Sequence, residues 1–127
     1  MQLLLDTHAA LWWAQDPAQL SAPAAAAIAD GANAVWFTAA SAWELAIKVR
    51  SGKVTVDVAR LVAVLVQDGV HVLGIGVHDA IAAGSLAWSH RDPFDRMIVA
   101  QAERLDLVVV SRDQPIRQFL GERCLEA

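Results

Sequence analysis

Four mainly apolar runs, Leu3 to Leu5, Ala34 to Phe37, His71 to Leu73 and Leu107 to Val110, are too short to be helices and recur between longer segments of helical period. Short continuous runs without polar alternation read as strands buried on both faces. The segments between them, Thr7 to Gln15, Ser21 to Asp30, Ala40 to Ser51, Val56 to Asp68, Val77 to Trp88 and Pro93 to Leu105, are predicted helices. Ala22 to Ala29 is the plainest of these, because alanine has the best intrinsic helix propensity, Ser21 can cap the start and Pro23 fits a first turn. Gly52 and Gly69 stand where helix C-terminal glycines belong. Such an alternation predicts an α/β fold, a central parallel sheet of four to five strands flanked by helices on both faces. Some helices arrive in pairs between strands, so the simplest strand-helix repeat is not expected.

No linker, repeat or charge run divides the 127 residues, which are read as one domain over 1–127. A chain of this length that is 56% hydrophobic buries enough surface to fold without disulfides or a structural metal, and disorder is excluded. The apolar stretch Leu61 to Val66 is far below the roughly 20 residues of a spanning helix. Met1 and Gln2 lead into only three leucines before Asp6, unlike a secretion signal, so a cytoplasmic location is expected. The single cysteine, Cys124, is read as a packing residue. Ten basic against fourteen acidic side chains argue against a protein that grips nucleic acid over a broad basic face. They do not argue against one that cuts it, because bound divalent cations reverse the local sign of a carboxylate cluster.

In an open parallel sheet, ligands bind beyond the carboxyl ends of the strands. Asp6 directly follows the first predicted strand, and Asp113 follows the fourth by three residues, with Ser111 between. Each also has an ordinary role open to it, capping the helix or turn that comes next. Glu44 flanks the apolar stripe Ala42, Leu45, Ala46 and Val49, and Lys48 lies four residues on, a spacing that equally suits a surface ion pair. In Asp92-Pro93-Phe94-Asp95-Arg96, Asp92 reads as an N-cap and Pro93 as the first helical residue. Asp95 shares a helix face with Ile98 and Val99, which holds its carboxylate at the edge of the interior and at the positive helix end.

Four carboxylates brought together without a counter-ion would repel one another until some were neutral. Mg²⁺ or Mn²⁺ removes that conflict and suits oxygen ligands, while few histidines and no cysteine pair point away from zinc. The chemistry best served is metal-assisted hydrolysis of a phosphodiester. Gly74-Ile75-Gly76 is only half of a dinucleotide fingerprint, since Asp79 occupies the next glycine position, and no Walker lysine, HExxH or GxSxG pattern occurs. His8 and His90 are the histidines that could touch the crevice.

Taken together, Asp6-Thr7-His8, Trp43-Glu44-Leu45 with Lys48, Asp92-Pro93-Phe94-Asp95-Arg96 and Ser111-Arg112-Asp113 resemble the PIN-domain ribonucleases, and more narrowly the VapC-type toxins of bacterial toxin-antitoxin pairs. The resemblance runs in order from Met1 to about Phe119. It implies a PIN fold in which Asp6, Glu44, Asp95 and Asp113 bind Mg²⁺ or Mn²⁺ and Ser111 accompanies the last aspartate. In the reading we carry forward, Asp6, Glu44 and Asp95 hold the catalytic cation, and Asp113 positions a second ion or the attacking water. The resemblance further implies an endoribonuclease that cuts single-stranded loops of transfer or ribosomal RNA and so stops translation. It also implies a homodimer, silenced by a VapB-type antitoxin whose arginine reaches the carboxylates. With a net charge of −4, RNA contact must be local, near Lys48, Arg50, Lys53, Arg91, Arg96 or Arg112. Trp12, Trp13, Trp36 and Trp88 are read as core, with an antitoxin groove or the dimer contact as the other places for them. The alternative function is a receiver-like phosphoacceptor domain, although Asp6 stands alone and no lysine follows Lys53.

Overall fold

A computed structural model describes residues 1–127. The chain runs β1 (Gln2–Leu5), α1 (Thr7–Gln15), α2 (Ala22–Ala29), β2 (Ala34–Thr38), α3 (Ala39–Arg50), α4 (Val58–Gln67), β3 (His71–Leu73), α5 (Val77–Ser85), α6 (Pro93–Leu105), β4 (Val108–Ser111), α7 (Gln114–Leu120) and β5 (Cys124–Glu126). Single 3-10 turns at Pro17–Gln19 and Gly121–Arg123 complete it. The sheet has the order β3-β2-β1-β4-β5 and every pairing is parallel. β1 is therefore central and β4 lies beside it, which brings the segments after Leu5 and Ser111 to the same edge of the sheet.

The leucine run of β1 is explained by cover on both faces. Leu3 and Leu5 join a cluster with Phe37, Leu45, Leu61 and Leu65, whereas Leu4 points the other way into a cluster with Ile98, Val99, Val109 and Ile116. Alternation of period two continues, but both sets meet a helical layer, so no position is left for a polar residue. Leu4 is fully buried, and truncating it to alanine costs about 2–5 kcal/mol. Gly52 and Gly69 end α3 and α4 with φ of 78° and 89°, the left-handed conformation for which glycine carries no Cβ penalty. No helix is long and apolar enough to cross a membrane.

Two helix ends differ from expectation by more than one residue. α4 begins at Val58, because Asp57 accepts the Arg60 amide at 3.1 Å and so takes the cap position. α5 ends at Ser85 rather than Trp88. α7 and β5 were not anticipated as elements. The first is seven residues opened by Gln114-Pro115, and the second is a three-residue edge strand of mixed polarity that takes its register from β4. Neither is long enough to show a period.

Candidate active site

At the carboxyl ends of β1 and β4, Asp6, Thr7, His8, Glu44, Lys48, Asp92, Asp95 and Asp113 line a cavity of about 180 Å³ with no hydrophobic side chain in its wall. All four acids singled out in the sequence are there, delivered by β1, α3, α6 and the start of α7.

Asp6 is the most constrained. One carboxylate oxygen caps α1, accepting the Ala9 amide at 2.8 Å, and the other accepts the Ser111 hydroxyl. Ser111 Oγ in turn accepts the Asp113 amide at 3.0 Å, so one buried hydroxyl ties the ends of β1 and β4 together. Burial raises the Asp6 carboxyl above its ordinary value, against the lowering effects of the Ser111 and Ala9 hydrogen bonds and nearby His8, and Asp113 raises it further. The capping role and the site role, separate possibilities in the sequence, coexist in this side chain.

Glu44 sits inside the protein with 8% of its surface exposed. Its Oε1 is 2.6 Å from Thr7 Oγ1 and its Oε2 is 3.0 Å from Lys48 Nζ. Thr7 Oγ1 is also 2.9 Å from Ser41 Oγ. A hydroxyl donates once, so with Glu44 ionised Thr7 donates to Glu44 and accepts from Ser41. Lys48 does pair with Glu44, but at the wall of the cavity rather than on an open helix face.

Asp92 caps α6 through the Phe94 and Asp95 amides at 2.9 and 3.1 Å, as its position before Pro93 implied. Asp95 Oδ2 lies 2.7 Å from His90 Nε2. Burial pushes the Asp95 carboxyl up to about 6, the charges of Asp92 and Asp113 adding to the effect and His90 partly opposing it. Asp113 stands at the N-cap of α7 yet makes no side-chain bond to that helix, so its exposed carboxylate is free. Donor atoms of His90, Asp95 and Asp113 all lie within 4.8 Å of one another. This donor set of carboxylates, hydroxyls and one imidazole fits a hard divalent cation, whose charge would relieve the burial cost that Asp6 and Asp95 carry.

Thr7 and Ser41 had not been assigned to the site, whereas His90 was named as a histidine that could touch the crevice and does reach Asp95. Ser41 and Glu44 are three residues apart on α3 and so share a face, a spacing that could have exposed the hydroxyl pair. The loop that carries His90 has no period, so its partner Asp95 could not be read from spacing.

Known proteins supply the remaining comparison. The family model described as PIN domain matches residues 3–119. The chain belongs to the PIN-domain family, in its VapC branch. Ribonuclease VapC22 of Mycobacterium tuberculosis (strain ATCC 25618 / H37Rv) is 32% identical over 124 residues, covering 95% of this chain and 94% of that protein. This PIN domain also superposes on a chain of the crystal structure of VapBC2 from Rickettsia felis bound to a DNA fragment from their promoter. The TM-score is 0.67 at 12% identity, over 99% of this chain and 98% of the other. PIN membership displaces the receiver-like alternative.

The basic residues divide sharply. Arg96 gives its guanidinium to the carbonyls of Ala83, Trp88, His90, Gly84 and Leu86, at 2.7 to 3.4 Å, pinning the end of α5 and the following loop to α6. Arg112 donates to the carbonyls of Ala127 and Gln19 and lies 4.5 Å over the Trp12 ring. Both were named as candidates for an RNA rim, and in the free chain both guanidiniums are bonded to the chain's own carbonyls. Lys48 is held by Glu44, while Arg50, Lys53 and Arg91 are exposed. Trp12, Trp13, Trp36 and Trp88 are half-buried and pack against the two cores. Trp43 is the exposed tryptophan at 59%, edge-on to Phe94 at 5.0 Å.

Proposed function

We propose that this PIN domain, acting as a single unit over residues 1–127, is a metal-dependent endoribonuclease toxin that hydrolyses phosphodiester bonds in structured RNA. The observation that carries the reading is the all-polar cavity in which Asp6, Glu44, Asp95 and Asp113 converge. It is supported by the likeness to a protein named as a ribonuclease. Single-stranded loops of transfer or ribosomal RNA are the substrate class that accounts for a toxic effect on translation.

Asp6, Glu44, Asp95 and Asp113 would hold Mg²⁺ or Mn²⁺, which when bound would supply Lewis-acid chemistry and activate water for attack on phosphorus. The chain's own groups prepare the ground for this. Ser111 fixes the Asp6 carboxylate and the start of α7 as one unit, which sets the spacing of the β1 and β4 acids. Thr7 and Ser41 fix Glu44 in the same way, and Lys48 offsets one negative charge at the wall that the phosphate approaches.

A VapB-type antitoxin is the partner in this reading, supported by the likeness to a chain of the VapBC2 structure, and a cytoplasmic location suits an RNA target. Homodimerisation belongs to the same reading. Its support is a set of exposed apolar side chains one turn apart on two helices, Trp43 with Ile47 on α3 and Val77 with Ile81 on α5. Incubating antitoxin-free protein with total transfer and ribosomal RNA tests the function. Discrete fragments that appear with Mg²⁺ or Mn²⁺ and vanish with EDTA are expected, and intact RNA from folded, metal-loaded protein would refute it.

A further inference from the structure

Beside the acid cavity lies a second hollow of about 430 Å³, lined by Trp88, Ser89, His90, Pro115, Gln118 and Phe119. Trp88 is stacked on Phe119 at 4.8 Å and 28°, and lies 4.7 Å from the His90 ring at 37°, so three rings form one wall. The exposed Ser89 hydroxyl and Gln118 amide supply hydrogen-bonding groups beside it. A single imidazole separates the two spaces. His90 faces Trp88 and also reaches Asp95 at 2.7 Å, while the helix that carries Pro115, Gln118 and Phe119 begins at Asp113.

Resting on the ribonuclease reading above, we infer that this hollow receives an unpaired nucleobase of the RNA strand, adjoining the nucleotide whose phosphate is cut. The charge inventory favours such a contact. Lys48, Arg104, Arg117 and Arg123 are in ion pairs, and Arg96 and Arg112 are on carbonyls. Only Arg50, Lys53, Arg60 and Arg91 remain for phosphate, on a chain of net charge −4. Counter-ion release from so few contacts is weak, and RNA affinity must come from elsewhere. Stacking is the other source open to a single-stranded ligand, and every base offers a flat face to an aromatic wall. The hollow is roomy enough for one base, is bordered by the His90 that reaches Asp95, and has an amide able both to donate to and accept from a base edge.

The test uses the full chain carrying Asp6→Asn, so that RNA is bound but not cut, with Mg²⁺ present. The probes are unstructured oligoribonucleotides carrying the fluorescent base 2-aminopurine at successive positions. Quenching is expected at one position in the series and is lost in Trp88→Leu, with affinity weakened roughly 5- to 100-fold. Gln118→Leu, at an exposed site that folding tolerates, changes which natural base is preferred there while melting and Mn²⁺ binding stay as in the parent. If Trp88→Leu is folded and binds RNA as tightly as the parent, the hollow is not a base site. If Gln118→Leu leaves base preference unchanged and no probe position is quenched, the same conclusion holds even where Trp88→Leu fails to fold. If the parent binds no RNA and the wild-type chain cuts none, the ribonuclease reading fails and this inference with it. Normal RNA binding by Trp88→Leu with lost inhibition by the antitoxin would give the hollow to the protein partner instead.

Discussion

Asp6 and Asp79 both lie where the chain passes from a strand into a helix and both are buried, at 6% and 1% exposure, yet their surroundings act on them in opposite directions. Asp79 is also desolvated, but the Gly76 amide at 2.9 Å, Arg104 at 2.5 Å and Gln101 at 3.3 Å outweigh burial and hold its carboxyl below the ordinary range. Asp6 receives a hydroxyl and an amide but no cationic side chain, and its carboxyl is raised. Asp79 closes the start of α5 against α6, and its charge is answered within the chain. At Asp6 no cationic side chain answers the charge and at Asp95 the His90 imidazole answers it only in part, and that deficit is what a divalent cation would fill.

The largest expected difference lies in activity. Asp6→Asn keeps an oxygen for the Ala9 amide and should lower RNA cleavage on the order of 10²–10³-fold, the scale for losing one group aimed at developing charge. Its melting temperature should be unchanged or higher, because the variant removes a desolvated charge. Single-turnover cleavage and a thermal melt on the same preparation check both halves. Asp79→Asn should show the reverse pattern, with near-normal cleavage per folded molecule and a loss of about 2–3 kcal/mol from its ion pair and cap, roughly 4 °C per kcal/mol in melting. Should the two variants behave alike, the contrast between a structural and a functional carboxylate would be wrong.

Acid separates the same groups by sign. With its carboxyl raised to about 6 from an ordinary 3.8, Asp95 contributes stability that is complete below 3.8 and is lost as pH rises through 6; Asp6 acts in the same direction. Metal-free protein should therefore melt higher at pH 5 than at pH 7, Asp95 supplying about 1 kcal/mol across that interval out of the ~3 kcal/mol complete below 3.8. Asp79 has a lowered carboxyl, so its contribution is present above 3.8 and fades only as pH falls below that value. Melts of Asp95→Asn should lose the gain between pH 7 and 5, and adding Mg²⁺ to the wild type at pH 7 should recover it without acid.

The acids were legible in the sequence because short buried strands fix where a chain turns, and Asp6 and Asp113 stand at two such turns. Glu44 and Asp95 were legible through helical period, each beside an apolar stripe. The partners of the cations were not. Arg96 bonds to five carbonyls of a loop and helix end with no side-chain signature, and Arg112 meets Gln19 and Ala127, remote in sequence. Short elements failed for a related reason, since three residues of β5 borrow their conformation from β4 rather than from their own composition.

That division among arginines gives the smallest expected effect and the sharpest control. Arg96→Ala strands carbonyls that now share one guanidinium, and should cost about 2–4 kcal/mol while loosening the loop that holds Trp88 and His90. Cleavage by that variant should fall with stability and recover in part with Arg96→Lys, which keeps a donor but not the fork. Arg91 is exposed and five residues earlier on the chain, next to the cap residue Asp92. Arg91→Ala should leave melting within about 0.5 kcal/mol, weaken RNA binding only a few-fold and evenly across sequences, and reduce the salt slope of binding by about one. Titration with a single-stranded oligoribonucleotide at several salt concentrations measures that slope. An unchanged slope for Arg91→Ala, together with a reduced one for a folded Arg96→Gln chain, would reverse the assignment of the two arginines. It would mean that a guanidinium committed to carbonyls in the free protein is released to phosphate when RNA arrives.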